Sequence, residues 1–382
     1  MRVCLYTDSA LPLLGGQEVV VDALARNFMA LGHEPIVLAP PPRHLSMADH
    51  EFPYPVLRHP RFISTRHFME WYKHWLGRAH RQHRFDVLHC HSIYPCGYLA
   101  ALCQGSLGIP TVITSHGGDV HLSGYRLSKP GMPARYARSI AAADALISIS
   151  RFTYDGILQL CPTARNIVSI PNGVHLEPFL HQATRSEQLD RRIQRGEYFL
   201  FIGRLHERKG VDVLLDAMAL LPARRRGLLV IAGDGDERDA LEAQSARLKL
   251  QNHVRFVGAA KGSTKTWLLQ NARFVVTPSR TWEAFGLVVL ESYAAGRAVI
   301  TTMLPGMMDL VMPGETGLLV PPESPAELAQ AVGTLWEDEA LAQRCGERAK
   351  RVAQSYGWPT IAERHLDLYN ELIGAPALRL AA

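Results

Sequence analysis

The chain has 382 residues, 47% of them hydrophobic and 20% charged, which is enough apolar material for about two domain cores and excludes a disordered or fibrous protein. No run approaches about 18 uninterrupted apolar residues, and Met1 to Asp8 reads as a strand entering a turn, so neither a membrane span nor a secretion signal is expected. Six cysteines without a CxxC pair fit a reduced, cytoplasmic setting. Cys90 and Cys96 lie among His89, His91 and His116, but their spacing matches no standard zinc site.

The net charge of +5 is unevenly placed: residues 1–185 hold 17 Lys and Arg against 12 Asp and Glu, whereas the remainder holds 24 against 24. Most of the excess lies in Arg58 to Arg84, where seven basic residues face the single acid Glu70. Phe68, Trp71, Tyr72 and Trp75 are interleaved with them. Such a segment predicts an amphipathic helix, either able to lie on an anionic membrane surface or simply packed by its aromatic side on the core. No recognisable nucleic-acid module accompanies it, so nucleic acid is not an expected partner.

In chain order, Val3–Tyr6, Ile36–Leu38, Val87–His89, Thr111–Thr114, Ala145–Ile149 and Ile167–Ile170 are short β-rich runs separated by helix-length segments. That rhythm predicts a parallel sheet covered by helices on both faces. The polar stretch His181–Glu197 interrupts it and reads as an interdomain segment. The rhythm restarts with Tyr198–Ile202, Leu228–Ala232, Val254–Val257, Phe274–Thr277, Ala298–Thr301 and Gly317–Val320, and Trp358–Leu372 reads as a closing helix. The expected architecture is α/β, with Rossmann-like domains over 1–185 and 190–355 facing a central cleft, and 358–382 packing back on the first.

Candidate functional residues cluster where strands end. Gly15-Gly16 opens a helix after the first strand, and paired glycines let backbone amides approach a phosphate or sugar. No GxGxxG follows, which argues against a dinucleotide oxidoreductase. His116, within Ser115-His116-Gly117-Gly118-Asp119, stands at a strand's carboxyl end, where it can meet a sugar hydroxyl. Gly203-Arg204-Leu205-His206-Glu207-Arg208-Lys209-Gly210 places a guanidinium fork (Arg204) and a point charge (Lys209) on the turn after the second domain's first strand, a pairing suited to a diphosphate. In Pro278–Glu291 a loop carries Glu283 and a helix is expected to start near Phe285, directing the amides of Phe285, Gly286 and Leu287 at a bound anion. Glu291, farther along that helix, is suited to accept two vicinal ribose hydroxyls.

The spacing Glu283-x7-Glu291 with Phe285-Gly286 between resembles the signature of the retaining GT-B glycosyltransferases of family GT4. Gly15-Gly16, Ser115–Val120, Pro171-Asn172-Gly173-Val174, Gly203-Arg204-Leu205 with Lys209-Gly210, and Gly314–Pro321 extend the resemblance along nearly the whole chain. It implies a metal-independent hexosyltransferase-type enzyme of the GT-B fold that needs no cofactor. Glu291 would bind the ribose of a nucleotide diphosphate sugar, Arg204 and Lys209 its diphosphate, Glu283 and His116 its sugar, and Gly16 the phosphate or acceptor side. The acceptor would be a saccharide, a lipid-linked molecule or a small molecule. The expected location is the cytoplasm, including the inner face of the plasma membrane.

Three positions depart from the family pattern: Ala284 follows Glu283 where glycine is usual, Pro305-Gly306-Met307-Met308-Asp309 replaces a Gly-Gly-x-x-Glu loop, and His175 stands where Asp is usual. They leave the class intact and the donor sugar open. Asp234-Gly235-Asp236 spells a metal-binding DxD, but its place in a turn after a second-domain strand favours local backbone bonding. A non-catalytic nucleotide-sugar-binding scaffold and a sugar-nucleotide epimerase are the alternative readings on the same fold.

Overall fold

A computed structural model of the protein describes residues 1–11, 15–41, 51–59, 66–121 and 127–374, with the side chains of 66–68 and 224 left aside. The chain divides into two compact units, Met1–Asn172 joined by Trp358–Ala382, and Gly173–Gly357.

Unit 1 runs β1 (Arg2–Tyr6), α1 (Gly16–Ala30), β2 (Glu34–Ala39), β3 (Val56–Arg58), α2 (Arg66–His83), β4 (Val87–Cys90), α3 (Tyr98–Leu107), β5 (Thr111–Ser115), α4 (Met132–Ala142), β6 (Ala145–Ser148), α5 (Arg151–Leu160) and β7 (Ile167–Ser169). The strands form one parallel sheet in the order β3-β2-β1-β4-β5-β6-β7. Because successive strand residues point to opposite faces, β1 feeds two cores. Cys4 and Tyr6 join Tyr72, Leu76 and Leu88 on one side, whereas Val3 and Leu5 join Val21, Leu24 and Phe28 on the other. Strands covered on both faces must be apolar throughout, which is why β4 is buried from end to end despite containing His89.

Unit 2 continues with β8 (Tyr198–Ile202), α6 (Val211–Leu220), β9 (Leu228–Ala232), α7 (Arg238–Arg247), β10 (Val254–Phe256), α8 (Gly262–Asn271), β11 (Phe274–Thr277), α9 (Leu287–Ala294), β12 (Ala298–Thr302), α10 (Pro305–Met308), β13 (Gly317–Val320), α11 (Pro325–Glu337) and α12 (Glu339–Ala353). Its parallel sheet has the order β10-β9-β8-β11-β12-β13. The chain then returns to unit 1 as α13 (Trp358–Gly374). Trp358, Ile361 and Tyr369 of α13 enter the core beside α1, the Tyr369 ring lies 5.9 Å from that of Phe28, and Arg364 Nη2 donates to Ser169 O at 2.8 Å.

Two local differences from the sequence reading have simple causes. The polar stretch expected between domains is packed inside unit 2: Ile193 is fully buried, Ala183 N donates to Gln270 Oε1 at 2.8 Å, and Asp190 pairs with Arg255 at 3.0 Å. The boundary therefore falls at Asn172 and Gly173. In the basic aromatic segment, residues 60–65 lie outside the described ones. The rest is α2, which buries Met69, Tyr72, Leu76 and Ala79 while Trp71 stays 42% exposed. Arg78, Arg81 and Arg84 point outward.

Candidate active site

In unit 2 the connections reverse direction between β8 and β11. A reversal of this kind leaves a crevice at the carboxyl ends of the two strands, because their connections leave toward opposite faces of the sheet. The turn leaving β8 carries Gly203–Gly210, and the loop leaving β11 carries Glu283. Backbone contacts lock these segments together. Arg280 N donates to Arg208 O at 2.9 Å, and Thr302 Oγ1 on β12 donates to Ser279 O at 2.7 Å. Gly210 has φ +64, and a β-carbon there would overlap the Pro278 carbonyl, so the close approach requires glycine.

This framework assembles one carboxylate and several cations. Lys209 Nζ donates to Glu283 Oε1, Ser279 Oγ donates to the same oxygen at 2.9 Å, and Arg208 Nη1 lies 3.9 Å from it. Arg208 also donates to Trp282 O at 3.1 Å with its guanidinium carbon 4.3 Å from the Trp282 ring centroid. Glu283 is only 8% exposed. Burial alone would raise its pKa, but the charges of Lys209 and Arg208, with hydrogen bonds from Lys209 and Ser279, outweigh burial and hold the carboxyl below its ordinary range. The Arg204 side chain, in contrast, is exposed and makes no hydrogen bond or ion pair among the described residues.

The helix expected to start near Phe285 starts at Leu287. Gly286 has φ +84 and acts as its N-cap, a left-handed conformation that ends the loop and cannot continue into the helix. Phe285 itself is buried. The amides of the first turn, Leu287 onward, are therefore those aligned along α9 toward its positive end. Glu291 lies one turn farther on, about 6 Å along the axis, and its Oε1 accepts from Lys265 Nζ of α8 at 2.6 Å. Asp234 spends its side chain locally, accepting from Gly235 N at 2.9 Å, with Arg238 at 3.9 Å.

Unit 1 places Gly16 at its own reversal, between β1 and β4, and His116 one strand farther along, after β5. Gly15 caps α1 and Gly16 begins it; Gln17 Nε2 ties that helix to the end of β1 through Thr7 Oγ1 at 2.8 Å and Asp8 Oδ1 at 2.9 Å. Residues 12–14 of the preceding loop lie outside the described ones. His116 follows β5, and its Nε2 lies 3.1 Å from His91 Nδ1. Buried Asp119 closes the loop, accepting from Ile93 N at 2.8 Å and Ser115 Oγ at 2.7 Å. Deeper in the unit, His89 is within 2.7 Å of Thr114 Oγ1 and 2.6 Å of the Tyr369 hydroxyl. Burial pushes all these imidazoles down, His116 to about 3 and His365 to about 4, and His89 and His91 well below their ordinary value.

Thus Arg204, Lys209, Glu283, Gly286, Leu287 and Glu291 belong to one unit, and Gly16 and His116 to the other. Sequence reasoning passed over Arg208 and Lys265. Arg208 was signalled by its place in the same basic turn, whereas nothing local marks Lys265, whose partner is 26 residues away.

Residues 14–178 match the profile of Glycosyltransferase Family 4, and residues 186–352 match that of Glycosyl transferases group 1. Phosphatidyl-myo-inositol mannosyltransferase of Mycolicibacterium smegmatis is 29% identical over 98% of this chain and 95% of its own. Glycogen synthase of Mycobacterium tuberculosis is 30% identical over 97% of this chain and 94% of its own. Among solved structures, Anabaena HepE in complex with UDP has a TM-score of 0.79 at 21% identity, covering 97% of this chain and 100% of that one. The chain belongs to the family 4 glycosyltransferases, with two Rossmann-like parallel-sheet domains of the GT-B type.

Proposed function

We propose that the protein is a retaining glycosyltransferase that takes a hexosyl group from a nucleoside diphosphate sugar and delivers it to a lipid-linked acceptor. The observation that carries the donor half is the convergence of Lys209 and Arg208 on buried Glu283, which they hold ionised in the loop leading into α9, with exposed Arg204 on the same turn as the lysine. HepE, a structural neighbour, was solved with UDP, which supports a nucleotide ligand for this fold. As the sugar leaves, positive charge develops on it and negative charge on the diphosphate. Lys209, Arg204 and the first-turn amides of α9 would meet the latter. A bound diphosphate competes with Glu283 for Lys209, and the released carboxylate can then accept the donor-sugar hydroxyls. Glu291 takes the ribose and His116 the donor-sugar contact that the family resemblance implies. In this front-face reading the leaving phosphate helps take the acceptor proton and no enzyme carboxylate forms a covalent adduct.

Incubation with candidate donors and acceptors, monitoring both nucleotide release and glycosylated product, is the direct test. Donor binding without release would favour a binding scaffold, and conversion of the donor sugar alone an epimerase. No metal is required by this reading, because cations and amides of the chain supply the charge, so the rate is expected to persist in EDTA. Activity abolished by EDTA and restored only by a divalent ion would contradict it.

The acceptor half rests on α2 and on relatives named as phosphatidyl-myo-inositol mannosyltransferases. Among the described residues no helix is long and apolar enough to cross a membrane, and a lipid acceptor then demands reversible attachment. Exposed Trp71 and the outward Arg78, Arg81 and Arg84 offer it, each arginine contributing about 1 kcal/mol at an anionic surface. Binding to anionic vesicles is expected to weaken as salt rises and again when the three arginines become glutamine, with the melting temperature nearly unchanged. Indifference to anionic vesicles at low salt, together with efficient use of a soluble acceptor, would overturn the membrane reading.

A further inference from the structure

Unit 2 contains a second concavity, of about 390 Å³, lined by Arg195, Arg273, Arg297 and Lys350 with Glu339 and Glu347. It lies at the opposite end of α9 from the donor candidates: Leu287 opens that helix, while Ala295 and Gly296 just past its end line the cavity. Eight residues of helix separate the two ends by about 12 Å.

The cations there are unequally occupied. Arg273 is committed to structure, donating to Gly196 O at 3.1 Å and Trp336 O at 2.7 Å and covering the Trp336 ring. Arg297 is different. Its Nε is buried without a hydrogen-bond partner; burial lowers its pKa, Tyr198 partly opposes that, and Arg195, a nearby like charge, lowers it further. Among the described residues neither Arg195 nor Arg297 has a carboxylate partner. Two guanidiniums held near one another with an orphaned donor form an arrangement that an oxyanion relieves, because it supplies the missing acceptor and cancels the repulsion.

The negative end of α9, which would disfavour an anion, is offset in part by backbone capping. Ala295 N, Gly296 N and Arg297 N close back on Glu291 O, Tyr293 O and Ser292 O. The cavity volume lies in the range of about 300–1,000 Å³ used by small-molecule sites and is larger than a bare phosphate needs. Glu339 and Glu347 at the same cavity are acceptors suited to hydroxyl groups. We propose that this cavity binds a small hydroxylated phosphate monoester, with the phosphoryl group between Arg195 and Arg297 and the hydroxylated body toward Glu339 and Glu347. The ligand is distinct from the sugar donor.

The test uses the full chain and two probes, inorganic phosphate and ribose 5-phosphate, with binding followed by calorimetry and by the rise in melting temperature. Because a diphosphate site also attracts phosphates, the measurements are made in the wild type, in Arg204→Ala/Lys209→Ala, and in Arg195→Gln and Arg297→Gln. The expected result is that both probes bind in the wild type and in Arg204→Ala/Lys209→Ala, that ribose 5-phosphate binds the more tightly, and that Arg195→Gln weakens both by roughly tenfold. Arg195 is exposed, so its replacement keeps the test valid even if Arg297→Gln fails to fold. Absence of binding, or binding that survives Arg195→Gln but disappears in Arg204→Ala/Lys209→Ala, would overturn the proposal.

Discussion

Replacing Lys209 by alanine is expected to lower sugar transfer by roughly 100-fold or more, since removing a charge-stabilising donor at a developing oxyanion typically costs that much. The structure adds a second consequence. Lys209 is the cation bonded to Glu283, and Glu283 is buried. Its removal leaves the carboxylate with Ser279 and the more distant Arg208, so Lys209→Ala should also lower the melting temperature. Arg204→Ala separates the two effects. Arg204 is exposed, so its loss should depress transfer to a similar extent while leaving stability alone. Steady-state rates with donor below saturation, paired with melting curves for both variants, provide the check. Wild-type rates in either variant would remove it from the diphosphate role.

The pattern of elements was legible because buried parallel strands must be apolar and helices between them must be long enough to cross back. Runs such as Tyr198–Ile202 and Leu228–Ala232 therefore mark β8 and β9 with the same bounds in sequence and structure. β3 was not legible: three residues, Val56–Arg58, at the edge of a sheet and entering a basic segment, carry too little periodicity. The start of α9 was misplaced by two residues because residue type does not reveal that Gly286 takes φ +84. In the site, the residue types came from the motifs, but their pairing did not. Lys209 meets Glu283 only because β8 and β11 are neighbours, and Lys265 meets Glu291 only because α8 packs beside α9. Long-range register of that kind is a property of the sheet order, which no local spacing encodes. The clustered histidines have a spacing that matches no standard zinc site. What joins His91 to His116 in the structure is a direct ring-to-ring contact, while His89 is occupied by Thr114 and Tyr369.

That histidine cluster carries the other large expectation, a loss of unit 1 on mild acidification. His89, His91 and His365 are buried, and their pKa values lie below the ordinary value chiefly because burial penalises the charged ring. In the unfolded chain each takes up a proton near pH 6.5. A lowered folded pKa means that the unfolded state binds more protons between the two values, so stability is complete above about pH 6.5 and falls as pH drops toward the folded pKa, about 4 for His365. Each histidine kept neutral by burial steepens the fall, since a proton taken up only by the unfolded state costs about 1 kcal/mol of stability per pH unit, against a total domain stability of about 5–15 kcal/mol. His116, which burial holds down at about 3, adds to the same trend. Asp119 acts in the opposite direction, because burial holds its carboxyl above the usual range despite the hydrogen bonds from Ile93 and Ser115, and its protonation on acidification relieves a cost. The histidines outnumber it. Protonation of both rings leaves the His91–His116 contact without an acceptor, whereas the Tyr369 and Thr114 hydroxyls beside His89 can turn to accept, so opening is expected to start at the His91–His116 pair. Melting temperatures followed from pH 8 to pH 4 should be level above about 7 and then fall steeply, and Tyr369→Phe should already lower the plateau by removing the hydroxyl partner of a buried imidazole. A profile that stays level down to pH 4.5 would show that the cluster accommodates its protons without opening the unit.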